Sequence, residues 1–368
     1  MTDILIIGGG IAGLLTAGEL SLAGARVTIL ERNERPARES SWAGGGILSP
    51  LYPWRYADSI TRLSLWGQQT YPELCADLKE ATGIDPQHLR SGLFIHAPDE
   101  MDEARNWADR FGQHFETVAA ARIHQLEPER LNPPSPMLWF PEIAQVRNPR
   151  LVKSLLADLE RRGVAIHANT PVDRLEITAD GSPVPISGGR RWQAEKVVIC
   201  AGAWSGRLLE SLQPAPRIHP VRGQMLLFRA RPGLIRHMML EENRYIIPRK
   251  DGRVLFGSTL EETGFDKQTT KAAREELHRI ATSRFPVLTD FPVEAHWAGL
   301  RPASPSGIPY IGPHPECDRL FVNAGHYRNG VVLGPASARL TADLVLERKP
   351  FVDPEPYGLD AERVAGQA

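Results

Sequence analysis

Ile4 to Ile7 is an unbroken apolar run, the pattern of a strand covered on both faces. Ala12 to Leu22 then takes helical spacing, and Arg26 to Leu30 is a second short apolar run. The first thirty residues therefore predict strand, helix, strand. Ala57 to Ala81 predicts a long helix broken or kinked at Pro72, which lacks the amide hydrogen an interior turn needs. Gly92 to His96 and Glu100 to Phe111 read as strand and helix. Pro149 to Arg162 places Leu151, Val152, Leu155, Leu156 and Leu159 on one face and stops at Gly163. Val164 to His167, Val172 to Ile177 and Val197 to Cys200 resume the strand pattern.

Between Arg217 and Ala298 the texture changes. Strand patterns at Val221 to Phe228, Tyr245 to Ile247, Val254 to Phe256 and Glu294 to Trp297 surround one helix, Lys271 to Arg284. This predicts an antiparallel sheet inserted between pieces of an α/β domain. Ile308 to Ile311 and Leu320 to Val322 are short buried strands, and Val331 to Glu347 is a last helix. The stretch after Lys349 is rich in Pro and polar residues and is expected to pack loosely. The expected class is α/β (α+β overall). A discontinuous Rossmann-like domain takes 1–86, 146–216 and 299–348, a substrate domain takes 87–145 and 217–298, and 349–368 is a tail.

Composition narrows the function. A chain of 368 residues, 42% hydrophobic and 24% charged, is long enough for two cores. Lys plus Arg number 43 against 44 for Asp plus Glu, so no bulk charge favours nucleic acid or anionic lipid, and neither partner is expected. Asp3 precedes the apolar N-terminal run and Glu19 interrupts it, which fits neither a signal peptide nor a membrane span. Cys75, Cys200 and Cys317 are too widely spaced for a CxxC pair and fit a reducing cytoplasm. The eleven histidines form no HExxH, and no metal site is expected.

Gly8-Gly9-Gly10-Ile11-Ala12-Gly13 satisfies G-x-G-x-x-G at a predicted strand-to-helix turn. Gly8 permits the tight turn, Gly10 lets backbone approach a pyrophosphate, and Gly13 lets the helix lie close to the sheet. Ile11 and Ala12 open that helix. Glu31 ends the second strand, where an acid takes a ribose hydroxyl, and Arg32 follows it. The fingerprint alone leaves NAD and FAD open. Three further segments favour the longer FAD: Ser40-Ser41-Trp42-Ala43-Gly44-Gly45-Gly46, the turn Ala201-Gly202-Ala203-Trp204, and Ala324 to Pro335. The last brackets His326, Tyr327 and Arg328 with Gly325 and Gly330 and leads into a predicted helix start, a place for an anion.

GGGIAG, ESSWAGGGIL, ICAGAWSG, RYIIPRKDGRVLFGST, WAGLRPASPSGIPYIG and AGHYRNGVVLGPA together resemble the D-amino acid oxidase family of flavoproteins, and within it the glycine oxidases of thiamine biosynthesis. The likeness runs from Asp3 to about Arg348. It implies FAD, oxidative deamination of small amines and amino acids with O2 as acceptor, and a homotetramer. Covalent members carry a flavin-linked cysteine just before the segment matching RPASPSGIP. No cysteine lies between Cys200 and Cys317, so the FAD is expected to be non-covalent.

By the same resemblance, Arg301 in GLRP grips the substrate carboxylate and Tyr245 in RYIIP adds a hydroxyl. Arg328 stands at the edge shared by substrate and flavin. Gly325, His326, Asn329, Gly330, Val331 and Val332 form the loop under the flavin ring, and the backbone at Val172 meets the adenine. Leu260, where some glycine oxidases have a pocket methionine, and Asn243, where a histidine is expected, depart from the pattern. Two alternatives remain: a D-amino acid dehydrogenase that reduces a quinone, and a tRNA-modifying flavoprotein.

Overall fold

The structure is a computed structural model and describes residues 3–363. The predicted opening unit is present: β1 (Asp3–Ile7), α1 (Ile11–Leu22) and β2 (Arg26–Leu30). These strands lie in a six-stranded sheet of order Tyr310–His314, Cys317–Ala324, Lys196–Ile199, β1, β2, Ala165–His167. All neighbours are parallel except the first pair. The apolar run of β1 serves two cores. Ile4 and Ile6 face α1 and the helices Asp58–Thr82, Asn148–Arg161 and Gly334–Val345, while Leu5 and Ile7 face the opposite side with Leu175 and Leu209.

The second layer is an eight-stranded sheet in which Val293–Ala303 and His219–Arg229 form the longest ladder, followed by Arg253–Gly257, Arg244–Pro248 and Met238–Glu241. Leu93–Ile95, Met137–Phe140 and Glu116–Val118 complete it. One face packs under the helix Lys271–Arg284 around Phe228, Phe256 and Leu277. The other carries Met225, Tyr245 and Leu255. The expected domain boundary at 299 falls inside the strand Val293–Ala303, so Arg301 is anchored in the eight-stranded sheet.

Several expectations need correction. The helix Asp58–Thr82 continues through Pro72 and ends at Gly83, whose φ of +70° is the left-handed stop. Its buried face, with Ile60, Leu63, Tyr71 and Leu78, outweighs one lost hydrogen bond. The pattern from Val172 becomes a strand only at Arg174–Ile177, in a separate three-stranded sheet with Pro183–Ser187 and Arg190–Arg191. The tail is not loose: Tyr357 is completely buried and its hydroxyl donates to Ser59 O at 2.8 Å. Arg363 lies 3.8 Å over the Tyr310 ring and donates to Tyr357 O. The last helix begins at Gly334, three residues later than expected. No helix among the described residues is long and apolar enough to cross a membrane.

Candidate active site

A long crevice runs from the β1–α1 turn to the face of the eight-stranded sheet. It is lined by Gly8, Gly10, Ile11, Ala12, Glu31, Arg32, Ser40, Ser41, Gly45, Gly46, Val172, Ala201, Gly202, Trp204, Tyr245, Arg301, His326, Arg328, Gly330 and Val331. Four expected cofactor residues, Gly13, Gly325, Asn329 and Val332, lie behind that lining. A Cβ on Gly13 would overlap Gly8 O, so its role is the close approach of α1 to the sheet. Gly8 has φ of +110°, and a Cβ there would run into Cys200 O.

At this end Gly9 N–H donates to Glu31 Oε2 at 2.8 Å, while the Asn33 backbone and side-chain amides donate to Oε1. The carboxylate thereby shapes the turn and keeps lone pairs free for a hydroxyl. α1 has no cap of its own; instead Ser41 Oγ accepts the Ile11 N–H at 2.9 Å. Ser41 reaches it because the short helix Ser40–Ala43 is clamped from both sides. Asn148 donates to Ser41 O and Trp297 Nε1 to Ala43 O, each at 3.0 Å. Across the crevice the Arg32 guanidinium lies 3.4 Å over the Trp204 ring, and Trp204 packs on Phe265 at 5.2 Å. The Arg207 guanidinium lies 3.9 Å over the Phe265 ring and Lys267 pairs with Glu39, so the loop carrying Phe265 and Lys267 touches both crevice walls. Phe265 and Lys267 were missed because an aromatic and a lysine in a polar loop carry no periodic signal.

The terminal loop is polarised. Val331 O accepts from Tyr71 Oη at 2.6 Å and from Gly334 N–H, and Val332 O abuts Gly67. The N–H groups of Gly330, Val331 and Val332 make no hydrogen bond within the described residues, nor do those of Gly45 and Gly46. Free amides at a crevice suit the acceptor-rich edge of a flavin and a pyrophosphate. The helix starts at Gly334 and not at Val331, so these amides lie in the irregular segment before it; Gly334 N–H donates to Val331 O and Ser337 N–H to Leu333 O. His326 is buried, and its Nε2 lies 3.0 Å from Ser337 Oγ. Burial brings its pKa down to about 4, which leaves the ring neutral at working pH.

The other end is a floor made by glycine. Gly223, Gly257 and Gly299 share one face of the sheet with Met225, Tyr245 and Arg301, as their strand register requires. A Cβ on Gly223 would fall within the Arg301 guanidinium, which therefore lies flat on bare backbone. Arg301 donates to Ser258 Oγ at 2.5 Å and to Thr259 O at 3.3 Å. It has no carboxylate partner among the described residues, and Arg328 has none either. Burial lowers the Arg301 pKa, the nearby Tyr245 hydroxyl opposes that, and Arg328 adds to it. A desolvated cation held by neutral acceptors is unsatisfied until an anion arrives. Ser258, in the FGST string, is a partner of Arg301 that nothing in the sequence distinguishes. Leu260 is 51% exposed and outside the lining, whereas Met225 is within it. Asn243 caps the hairpin beside the site, its N–H donating to Tyr52 Oη at 3.3 Å.

Residues 3–344 match the DAO family, described as FAD dependent oxidoreductase. The chain belongs to the DAO family. FAD is its cofactor, and it is an enzyme of the FAD-dependent oxidoreductase class. This DAO-family chain is 44% identical to a glycine oxidase of Pseudomonas aeruginosa over 355 residues, covering 96% of the chain and 97% of that protein. It is 33% identical to the bifunctional protein ThiO/ThiG of Trichormus variabilis, covering 94% of the chain but 53% of that protein. The crystal structure of glycine oxidase from Geobacillus kaustophilus superposes with a TM-score of 0.92 at 28% identity, covering 98% of this chain and 100% of that one.

Proposed function

We propose that the enzyme oxidises glycine and other small amines and amino acids, among them sarcosine and small D-amino acids, with O2 as the electron acceptor. For glycine, substrate, O2 and water give glyoxylate, ammonia and hydrogen peroxide. Bound FAD supplies the two-electron acceptor that this reaction requires. The observation that carries the reading is the Arg301 guanidinium, open to the crevice, without a carboxylate partner among the described residues, and laid on the glycine floor beside Tyr245.

The chain's own residues contribute position. Arg301 binds both oxygens of a carboxylate in one plane, which fixes the direction of the bond to Cα and supplies the proximity contribution to rate. The Tyr245 hydroxyl, 3.7 Å from Met225 Sδ, is free to turn and donate to the same carboxylate. Arg328 adds positive potential where charge accumulates on reduction. His326, neutral and engaged with Ser337, takes no proton in this scheme. A homotetramer in the cytoplasm, serving thiazole formation in thiamine biosynthesis, completes the proposal on the strength of the resemblance; light scattering tests the oligomer.

The test is anaerobic bleaching of the purified holoenzyme across glycine, sarcosine, D-alanine and D-proline, followed by peroxide assay in air. Bleaching by these substrates and peroxide in proportion to substrate are expected. Bleaching without peroxide, with turnover only on an added quinone, replaces the oxidase with a dehydrogenase. No bleaching by any of them removes the proposal.

A further inference from the structure

Resting on the amino acid oxidase reading, we propose that Met225 is the residue that sets how large a substituent the substrate may carry on Cα. Arg301, Gly223 and Met225 follow one another on a single face of the sheet, because Gly223 and Met225 are two residues apart on one strand and Arg301 lies over the first of them. Alternate residues of a strand are roughly 7 Å apart, about the span of a carboxylate, Cα and a short side chain. Met225 is 2% exposed, lines the crevice, and brings its sulfur to 3.7 Å from Tyr245 Oη.

Its shape is imposed from below. Met225 pairs with Gly257, and a Cβ there would stand 2.8 Å from Met225 Cγ and 3.4 Å from its methyl carbon. The thioether chain thus lies down over the gap that Gly257 leaves, instead of standing away from the sheet. A substrate anchored by its carboxylate at Arg301 and Tyr245 has its Cα over the glycine floor, with the thioether as the adjoining wall. Hydrogen or methyl on Cα fits beside a flexible wall of this kind, and longer chains meet it.

The experiment compares the holoenzyme with Met225→Ala, Met225→Val and Met225→Phe. Two readouts are taken: kcat/KM for glycine, D-alanine and D-leucine, and Kd for acetate, propionate and butyrate from visible difference spectra of the bound flavin. One methylene-sized change in an apolar pocket shifts discrimination by about 10- to 200-fold. The ratio of D-leucine to glycine kcat/KM is expected to rise by at least ~10-fold in the Ala variant, less in Val, and to fall in Phe, with butyrate affinity moving in step. Unchanged ratios and unchanged carboxylate order in variants that retain FAD overturn the assignment. If the wild type oxidises no amino acid, the function above fails, yet the carboxylate series still decides whether Met225 walls the anion site. Should the Ala variant lose FAD, the Val and Phe variants give the answer.

Discussion

Replacing Arg301 with Met separates the cost of a site from the cost of a fold. The guanidinium faces the crevice, has no carboxylate partner among the described residues, and donates to Ser258 Oγ and Thr259 O. Burial depresses its pKa, meaning that the folded state disfavours its charge, and the group stays charged at any working pH. Methionine of similar length removes that charge and forfeits two hydrogen bonds worth about 1 kcal/mol each. These contributions oppose one another, so unfolding free energy is expected to move by about 2 kcal/mol or less, a few degrees in Tm. Binding behaves differently, because a substrate carboxylate would then meet no guanidinium on the glycine floor and only the potential of Arg328 beside it. Breaking such a pair costs about 3 to 5 kcal/mol, or roughly 10²- to 10³-fold and more in kcat/KM. Oxygen uptake with glycine, flavin absorbance per chain and thermal melting are measured on one preparation. Turnover within about tenfold of wild type would refute the role of Arg301. A variant that had lost its FAD or its cooperative melt would instead show Arg301 to be a structural residue.

Gly223→Ala leaves Arg301 in the chain but puts a methyl where its guanidinium lies, so KM for glycine is expected to rise by about 10- to 100-fold, the value of a charged hydrogen bond, while FAD stays bound; an unchanged KM would contradict the glycine floor. Phe265→Ala removes the ring that contacts both Trp204 and Arg207, and losing about 1 to 2 kcal/mol of stacking should raise the FAD Kd by about 5- to 30-fold, read as flavin fluorescence on dilution. Glu127 supplies the pH prediction. Burial lifts its pKa to about 7 against two opposing hydrogen bonds from the Arg236 and His237 amides. A raised folded value means the stabilisation is complete below about pH 4.5 and is lost as pH rises through 7, by about 3 kcal/mol at most. Glu127→Gln keeps an acceptor for both amides without the charge, so its melting advantage over wild type should appear between pH 5 and 8.5; parallel curves across that window count against it.

The parts of the fold legible in the sequence are those whose patterns are set by one local constraint. The apolar run of β1 must face two cores, and the G-x-G-x-x-G turn needs a residue without Cβ at Gly8 and Gly13, so both could be read directly. Where tertiary burial competes with local preference, the local pattern misleads. Pro72 is tolerated because seven side chains along its helix are buried, Tyr71 and Cys75 beside it among them. Pro183–Ser187, with prolines at 183 and 185, does not look like a strand, yet it is the centre of a three-stranded sheet, in which the Pro185 carbonyl still accepts from Trp192 N–H. Tyr357 and Arg363 lie in a polar, proline-rich tail whose anchors, Ser59 and Tyr310, are far away in sequence.

The site divides along the same line. Arg301, Tyr245 and Arg328 stand in motifs, and the structure gathers all three on one crevice. What no single motif contains is the glycine floor as a whole: Gly223, which lies under the Arg301 guanidinium, opposes Gly299 across a ladder, and Gly257 joins them from a third strand. Each of these glycines, read alone within a strand, signals only a weakened ladder. Together they lower one patch of the sheet by the thickness of a side chain, and a guanidinium and a thioether lie down in it. The small-substrate specificity proposed above then depends on register, since shifting either neighbouring strand by one residue would replace Gly299 with Ala298 or Leu300, or Gly257 with Phe256 or Ser258, and put a side chain where glycine now leaves room.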